Sequence, residues 1–172
     1  MKKLSFVLIA MLVLASCQEP QKIGYVDNGK VINEYQEKID IESKFKLRDE
    51  SFAMRTDSIG KAFQLEAQDF QLKSKSMSAK KAQELYDELG KKQQLLQQQL
   101  QFEQQQLQQA FNVEIDSAII KVKDFVNDYG KKNGYTYIFG TTEASSTVMY
   151  GKEENDITQI VLDAINSAYK KD

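Results

Sequence analysis

The stretch IESKFKLRDESFAMRTDSIGKAFQLEAQDFQLKSKSM, residues 41–77, decides how this chain folds. Ile41, Phe45, Phe52, Ile59, Phe63, Phe70 and Met77 follow an eighteen-residue repeat, and eighteen residues make five whole α-helical turns at about 3.6 residues per turn. These side chains therefore line one narrow stripe. Leu47, Met54, Leu65 and Leu72 obey the same repeat but point roughly the opposite way, which gives the helix a second, thinner apolar line. One face can pack while the other remains free.

Downstream, Leu85, Leu96 and Leu107 stand eleven apart, as do Leu89, Leu100, Phe111 and Val122. Eleven residues in three turns is about 3.67 per turn, so neither repeat imposes the supercoil of a strict heptad. The span from Ile41 to Tyr129 is expected to form two nearly straight, antiparallel helical arms. A fold-back near Lys75 interleaves the stripes, with Phe63 opposite position 87, Phe52 opposite 98 and Ile41 between Leu107 and Phe111. Lys73-Ser74-Lys75-Ser76-Met77-Ser78-Ala79-Lys80 suits a solvated apex, with Ser78 as N-cap of the returning helix. The same fold-back sets Gly60 across from Gly90. Glycine inside a helix costs about 1 kcal/mol relative to alanine, so the pair reads as close arm contact, as a flexible joint, or as two unrelated tolerated glycines.

Gln93 to Gln109 contains eleven glutamines, a composition that elsewhere marks disorder or aggregation. Here Leu95, Leu96, Leu100, Phe102 and Leu107 keep helical spacing through the tract, and glutamine is a good helix former. It reads as a solvated helix face with little power to steer an ionic partner.

Before the hairpin, Met1 to Ser16 has two lysines and an apolar run from Leu4 to Ala15, too short to span a membrane and read as a secretory signal. It ends Leu14-Ala15-Ser16-Cys17, which matches the order of a bacterial lipobox, so Cys17 is the candidate lipidation site and 17–22 a lipidated tether. The plainer reading is a secreted protein with a stray thiol. As the only cysteine, Cys17 can form no internal disulfide. The whole chain has 23 basic and 25 acidic residues. Without Lys2 and Lys3 the balance is 21 to 25, a net charge of −4, which gives no support to nucleic-acid binding.

Ile23-Gly24-Tyr25-Val26-Asp27 reads as a strand ended by the turn formers Asp27, Asn28 and Gly29, after which Lys30 to Tyr35 begins helical structure that passes into the first arm. Past the hairpin, branched apolar residues from Val113 to Val126 cover more than one face, as where a helix enters a packed body. Gly134 suits a left-handed cap after Lys131 and Lys132. Tyr135 to Gly140 and Ser146 to Tyr150 read as two more strands, and Asn155 or Asp156 caps a last helix with Ile157, Ile160, Val161, Ala164, Ile165 and Ala168 on one face. The expected fold is α+β, mainly α. A small body of about three short strands plus a C-terminal helix (residues 23–35 and 112–172) carries a projecting hairpin (36–111).

Ile23-Gly24-Tyr25-Val26-Asp27, the long polar hairpin, the strands after Gly134 and Asp156-Ile157-Thr158 before an amphipathic helix resemble the Skp/OmpH family of periplasmic chaperones. The resemblance covers essentially the whole chain after the signal. It implies a homotrimer whose strand-bearing bodies share a core and whose hairpins hang as tentacles around a cavity. Such proteins hold unfolded outer-membrane β-barrel polypeptides without ATP. A small body with exposed sheet edges fits, since oligomerisation remedies an underfilled core. Ile23, Tyr25, Tyr137, Phe139, Val148 and Tyr150 are the candidate residues of that trimer or body core. Leu47, Met54, Leu65 and Leu72 are the candidate client-facing line, where dispersed Leu and Met allow adaptable contact; ordinary packing within or between hairpins is the plainer alternative.

Two features depart from the family. Its familiar members are basic, whereas this chain is mildly acidic, so no lipopolysaccharide site is carried over; Lys73, Lys75, Lys80 and Lys81 cluster as a local basic apex, and charge at a solvated turn usually serves only solubility. Familiar members are also soluble, whereas Cys17 points to a periplasmic protein anchored to an envelope membrane. With no histidine, phosphate loop or spaced metal-ligand cluster, neither enzyme activity nor a cofactor is expected, and Glu34 and Glu37 read as surface charge. The competing function is a lipid-anchored spacer or adaptor of an envelope complex, which needs one continuous apolar patch rather than scattered groups.

Overall fold

The computed structural model describes residues 21–142, 145 and 147–170. The expected signal segment, Cys17 and the first part of the tether lie outside the described residues. Chain order is β1 (Ile23–Asp27), α1 (Asn28–Glu34), α2 (Gln36–Ser74), α3 (Ala79–Lys132), β2 (Tyr137–Thr141), a 3-10 turn (Glu153–Asn155) and α4 (Thr158–Tyr169).

α2 and α3 are the two arms. The turn between them occupies 75–78, and the Ser78 hydroxyl accepts the Lys81 N–H at 3.4 Å, the expected N-cap. The Ile41 to Met77 stripe faces the opposite arm, with Ile41 and Phe45 buried and the rest half-buried. The level of pairing differs from the fold-back read in the sequence. Phe45 packs edge-on against Phe111 with ring centroids 5.4 Å apart, and Phe70 lies 6.4 Å from Tyr86, so the arms are offset from the predicted match by several residues. The turn consumes residues beyond Lys75, and helical side chains lean toward their own N-terminus, in opposite senses on antiparallel arms. Gly60 and Gly90 are thereby staggered, and a Cβ on either would meet nothing within 4 Å. Close arm contact does not explain them.

Ion pairs fix this register. Lys44–Glu114, Arg55–Glu103 and Glu66–Lys92 bridge the arms, each step of eleven residues down α2 matching eleven up α3. Such exposed pairs are worth at most about 1 kcal/mol each, but a slipped register would break all three together.

At the root the arms enter the body. The core combines Val26 of β1, Val31 and Tyr35, Ile41 and Phe45 of α2, Ala118 and Val122 of α3, and Ile157, Val161, Leu162 and Ile165. Helix formation does not run unbroken from α1 into α2, because Tyr35 adopts an extended conformation between them. Asn166 holds this break, accepting the Gln36 N–H at 2.8 Å and donating to the Glu34 carbonyl at 3.2 Å. Asp27 is not a turn residue after a strand but the N-cap of α1, accepting the Lys30 N–H at 3.0 Å. Gly134 takes φ 70° after α3, and the Tyr135 N–H reaches the Gly130 carbonyl at 3.0 Å, the expected left-handed cap.

The sheet has two parallel strands, β1 and β2, joined through the entire hairpin. Of the strand expected over 146–150, the described residues form none: residues 147–150 are irregular, with Met149 and Tyr150 almost wholly exposed. Asp156 makes an isolated bridge to Tyr25 instead, the Ile157 N–H donating to the Tyr25 carbonyl at 3.0 Å. α4 begins at Thr158, later than predicted. Asp156 still ends the approach, its Oδ1 accepting the Thr158 N–H at 2.9 Å and the Thr158 hydroxyl at 2.5 Å, while Thr158 Oγ1 accepts the Asp27 N–H at 2.9 Å. The buried face of α4 is Thr158, Val161, Leu162 and Ile165; Ile160 and Ala168, placed on it by the sequence reading, are exposed.

Glu37 is not free surface charge. It accepts from the Tyr35 hydroxyl at 2.7 Å and from Lys121 Nζ at 2.6 Å. Burial disfavours its charge, but those two hydrogen bonds and the Lys121 charge outweigh it and hold the carboxyl below its ordinary pKa. The unfolded group has the higher pKa, so this contribution is fully present above that value and is lost as pH falls through the folded one. Glu37→Gln is expected to cost about 1 kcal/mol or less at neutral pH, and the cost should vanish in acid. Urea midpoints of both proteins at the two pH values check this; an unchanged gap in acid would contradict it.

Candidate functional site

Leu47, Met54, Leu65 and Leu72 all point into solvent, 64%, 66%, 66% and 75% exposed. Packing within the hairpin does not use them. The outward line follows from the repeat, since residues half a turn from the Phe45 stripe must face away from α3.

A second outward line, which the sequence reading did not separate, runs along α3. Leu95, Phe102, Val113 and Ile120 are 64%, 62%, 61% and 59% exposed. Their spacings are seven, eleven and seven, the same as those of Leu47, Met54, Leu65 and Leu72. Val113 and Ile120 were expected inside the packed body; only Ala118, Val122 and Gly130 of α3 are fully buried. The eighteen-residue repeat from Leu95 to Val113 and from Phe102 to Ile120 is the signal that finds this line. A groove of about 500 Å³ between the arms is lined by Phe52, Gln106, Leu107 and Ala110 with Arg48, Arg55 and Glu103; Leu47 borders it, and no residue of the α3 line does. Gln106 sits one turn from Phe102.

The apex lysines Lys73, Lys75, Lys80 and Lys81 are exposed, and Lys73 pairs with Asp69 one turn earlier at 2.7 Å.

The outer face of the sheet is the other apolar surface. Alternation sends Gly24, Val26 and Ile138 inward and Ile23, Tyr25, Tyr137 and Phe139 outward. Tyr137 and Phe139 stack 5.9 Å apart and remain 55% and 46% exposed. Tyr25 is half-covered by the backbone at Gly151, where a Cβ would come within 2.5 Å of its ring. Val148 is half-buried and Tyr150 exposed. None of these six candidates belongs to the buried core of the single chain. Among the described residues no cluster of three metal-ligating side chains occurs, and no helix is long and apolar enough to cross a membrane.

A family model described as outer membrane protein, OmpH-like, matches residues 22–165, from β1 through α4. The chain belongs to the OmpH-like family. A crystal structure from Caulobacter crescentus CB15, of a candidate OmpH-like outer membrane chaperone, matches with a TM-score of 0.75 at 11% identity, covering 88% of each chain. At that identity the likeness establishes a shared fold. No curated protein matches the sequence. The two outward lines lie on the hairpin and the Tyr137–Phe139 pair on the body of this OmpH-like architecture.

Proposed function

We propose that the chain is an ATP-independent holdase of the periplasm that keeps unfolded outer-membrane β-barrel proteins from aggregating. In this reading three copies join through the outer sheet faces, and the client sits in the cavity between their hairpins, against Leu47, Met54, Leu65 and Leu72. Lipid on Cys17 tethers the assembly to an envelope membrane. The observation that carries the reading is the pairing of OmpH-like membership with scattered apolar side chains that the hairpin leaves exposed. A two-stranded sheet with an aromatic outer face also calls for a partner surface. The name of the Caulobacter relative points the same way.

The test is light scattering as a urea-unfolded outer-membrane barrel is diluted with and without the mature protein carrying Cys17→Ser. Suppression without nucleotide is expected. Replacing Leu47, Met54, Leu65 and Leu72 together by glutamine should weaken suppression by at least about tenfold, since each exposed apolar group covered by client contributes on the order of 1 kcal/mol. Charge reversal at Lys73, Lys75, Lys80 and Lys81 should do less. Failure of the parent to suppress aggregation at any salt concentration would favour the spacer or adaptor reading.

A further inference from the structure

We propose that residues 93–113 of α3 form a charge-blind strip for extended polypeptide, in which Leu95, Phe102 and Val113 take apolar client side chains and glutamine amides bond the client backbone. This rests on the holding function above and names how the client is recognised.

From Gln93 to Val113 the only charged residue is Glu103, and it is paired with Arg55 of the facing arm. The facing arm is unlike it: Lys44, Lys46, Arg48, Asp49, Glu50, Arg55, Asp57, Lys61 and Glu66 fall within one comparable stretch of α2. Neutrality is therefore confined to one side of the hairpin, and that side carries the second outward line. Gln98, Gln99, Gln105 and Gln106 lie one helical turn from Phe102, and Gln109 one turn from Val113. All five are exposed, and among the described residues their side chains make no hydrogen bond within the protein.

An unfolded chain presents an N–H and a C=O at nearly every residue, and covering one without a partner costs about 1–3 kcal/mol. A carboxylate or ammonium head satisfies only one of those groups. A glutamine amide offers two donors and an acceptor, so it can meet either group whatever side chain the client bears there. A folded client has its peptide groups paired internally and offers the strip nothing. The apolar anchors stand roughly 10 and 16 Å apart along the helix axis, a reach of about three to five extended residues. An absence of ionic contacts also means little screening by salt. The occupant is an extended, unfolded polypeptide of either net charge.

The test uses the mature Cys17→Ser protein and a urea-unfolded eight-stranded outer-membrane barrel as probe, with affinity read by fluorescence from low to high salt. The triple variant L95Q/F102Q/V113Q is expected to weaken binding by about tenfold, equivalent to about 1.4 kcal/mol. Q98A/Q99A/Q105A/Q106A/Q109A, which keeps strong helix formers, should weaken it by at least about threefold through lost backbone bonds. The parent's affinity should change by less than about twofold with salt. Circular dichroism and sedimentation mass should be unchanged, because every substituted side chain is exposed. Unaltered affinity in both variants, or steep salt dependence in the parent, overturns the strip while holding stands. A change of mass instead makes the strip a seam between copies, which also overturns it. If the parent does not bind the probe at all, the holding function itself fails.

Discussion

Phe45→Ala is expected to lower the unfolding free energy by about 3–5 kcal/mol, the usual loss when a buried aromatic leaves a cavity. Phe45 is 3% exposed and sits where the first arm meets the body. Its ring packs edge-on against Phe111 and carries the Arg48 guanidinium 4.9 Å from its centroid. The arms above this level are only half-buried and cannot close over the gap. The same substitution at Phe102, 62% exposed, should cost about 1 kcal/mol or less. Urea unfolding at one fixed protein concentration compares the two, since the proposed assembly would add a concentration-dependent term. Equal midpoint shifts would mean that the root of the hairpin is not part of the core.

The hairpin was legible because a straight helix converts an eighteen- or eleven-residue repeat into a face, and a face is what packing requires. Its level was not. Sliding two apolar stripes by about one turn still interleaves them, so the stripes alone cannot choose between matches several residues apart. The choice lies in charge: Lys44, Arg55 and Glu66 step by eleven along one arm, and Glu114, Glu103 and Lys92 answer them on the other. Those residues were visible in the sequence but carry no apolar signal.

The body was read less completely for a related reason. Residues 147–150 have strand-forming side chains, but propensity alone does not pair a segment with a sheet's open edge. The Asp156 bridge lies against Tyr25, and the preceding segment remains irregular. The outward line of α2 was found because its repeat stands beside a clear buried stripe. The matching line on α3 was hidden by the glutamines around Leu95 and Phe102, and by the branched residues near Val113 and Ile120 that resembled core. Exposure separates them where composition does not.

Replacing Tyr137 and Phe139 together by threonine is expected to dissociate the proposed trimer and abolish holding. Both side chains project from the outer face of β2, away from Val26 and the buried face of α4, so the protomer should keep its helical content. Threonine favours strands, which leaves β2 itself intact. What disappears is a stacked aromatic pair on each subunit, and covering such a side chain contributes about 1.5–3 kcal/mol. In a closed trimer that loss is repeated at every interface, enough to move association beyond micromolar concentration. Sedimentation mass should fall to that of one chain while circular dichroism stays unchanged. Holding should fall with it, because a cavity between hairpins exists only in the assembly. If the double variant keeps the parent's mass, the outer sheet face is not the joining surface; if it becomes monomeric and still holds a client, one hairpin suffices and no cavity is needed.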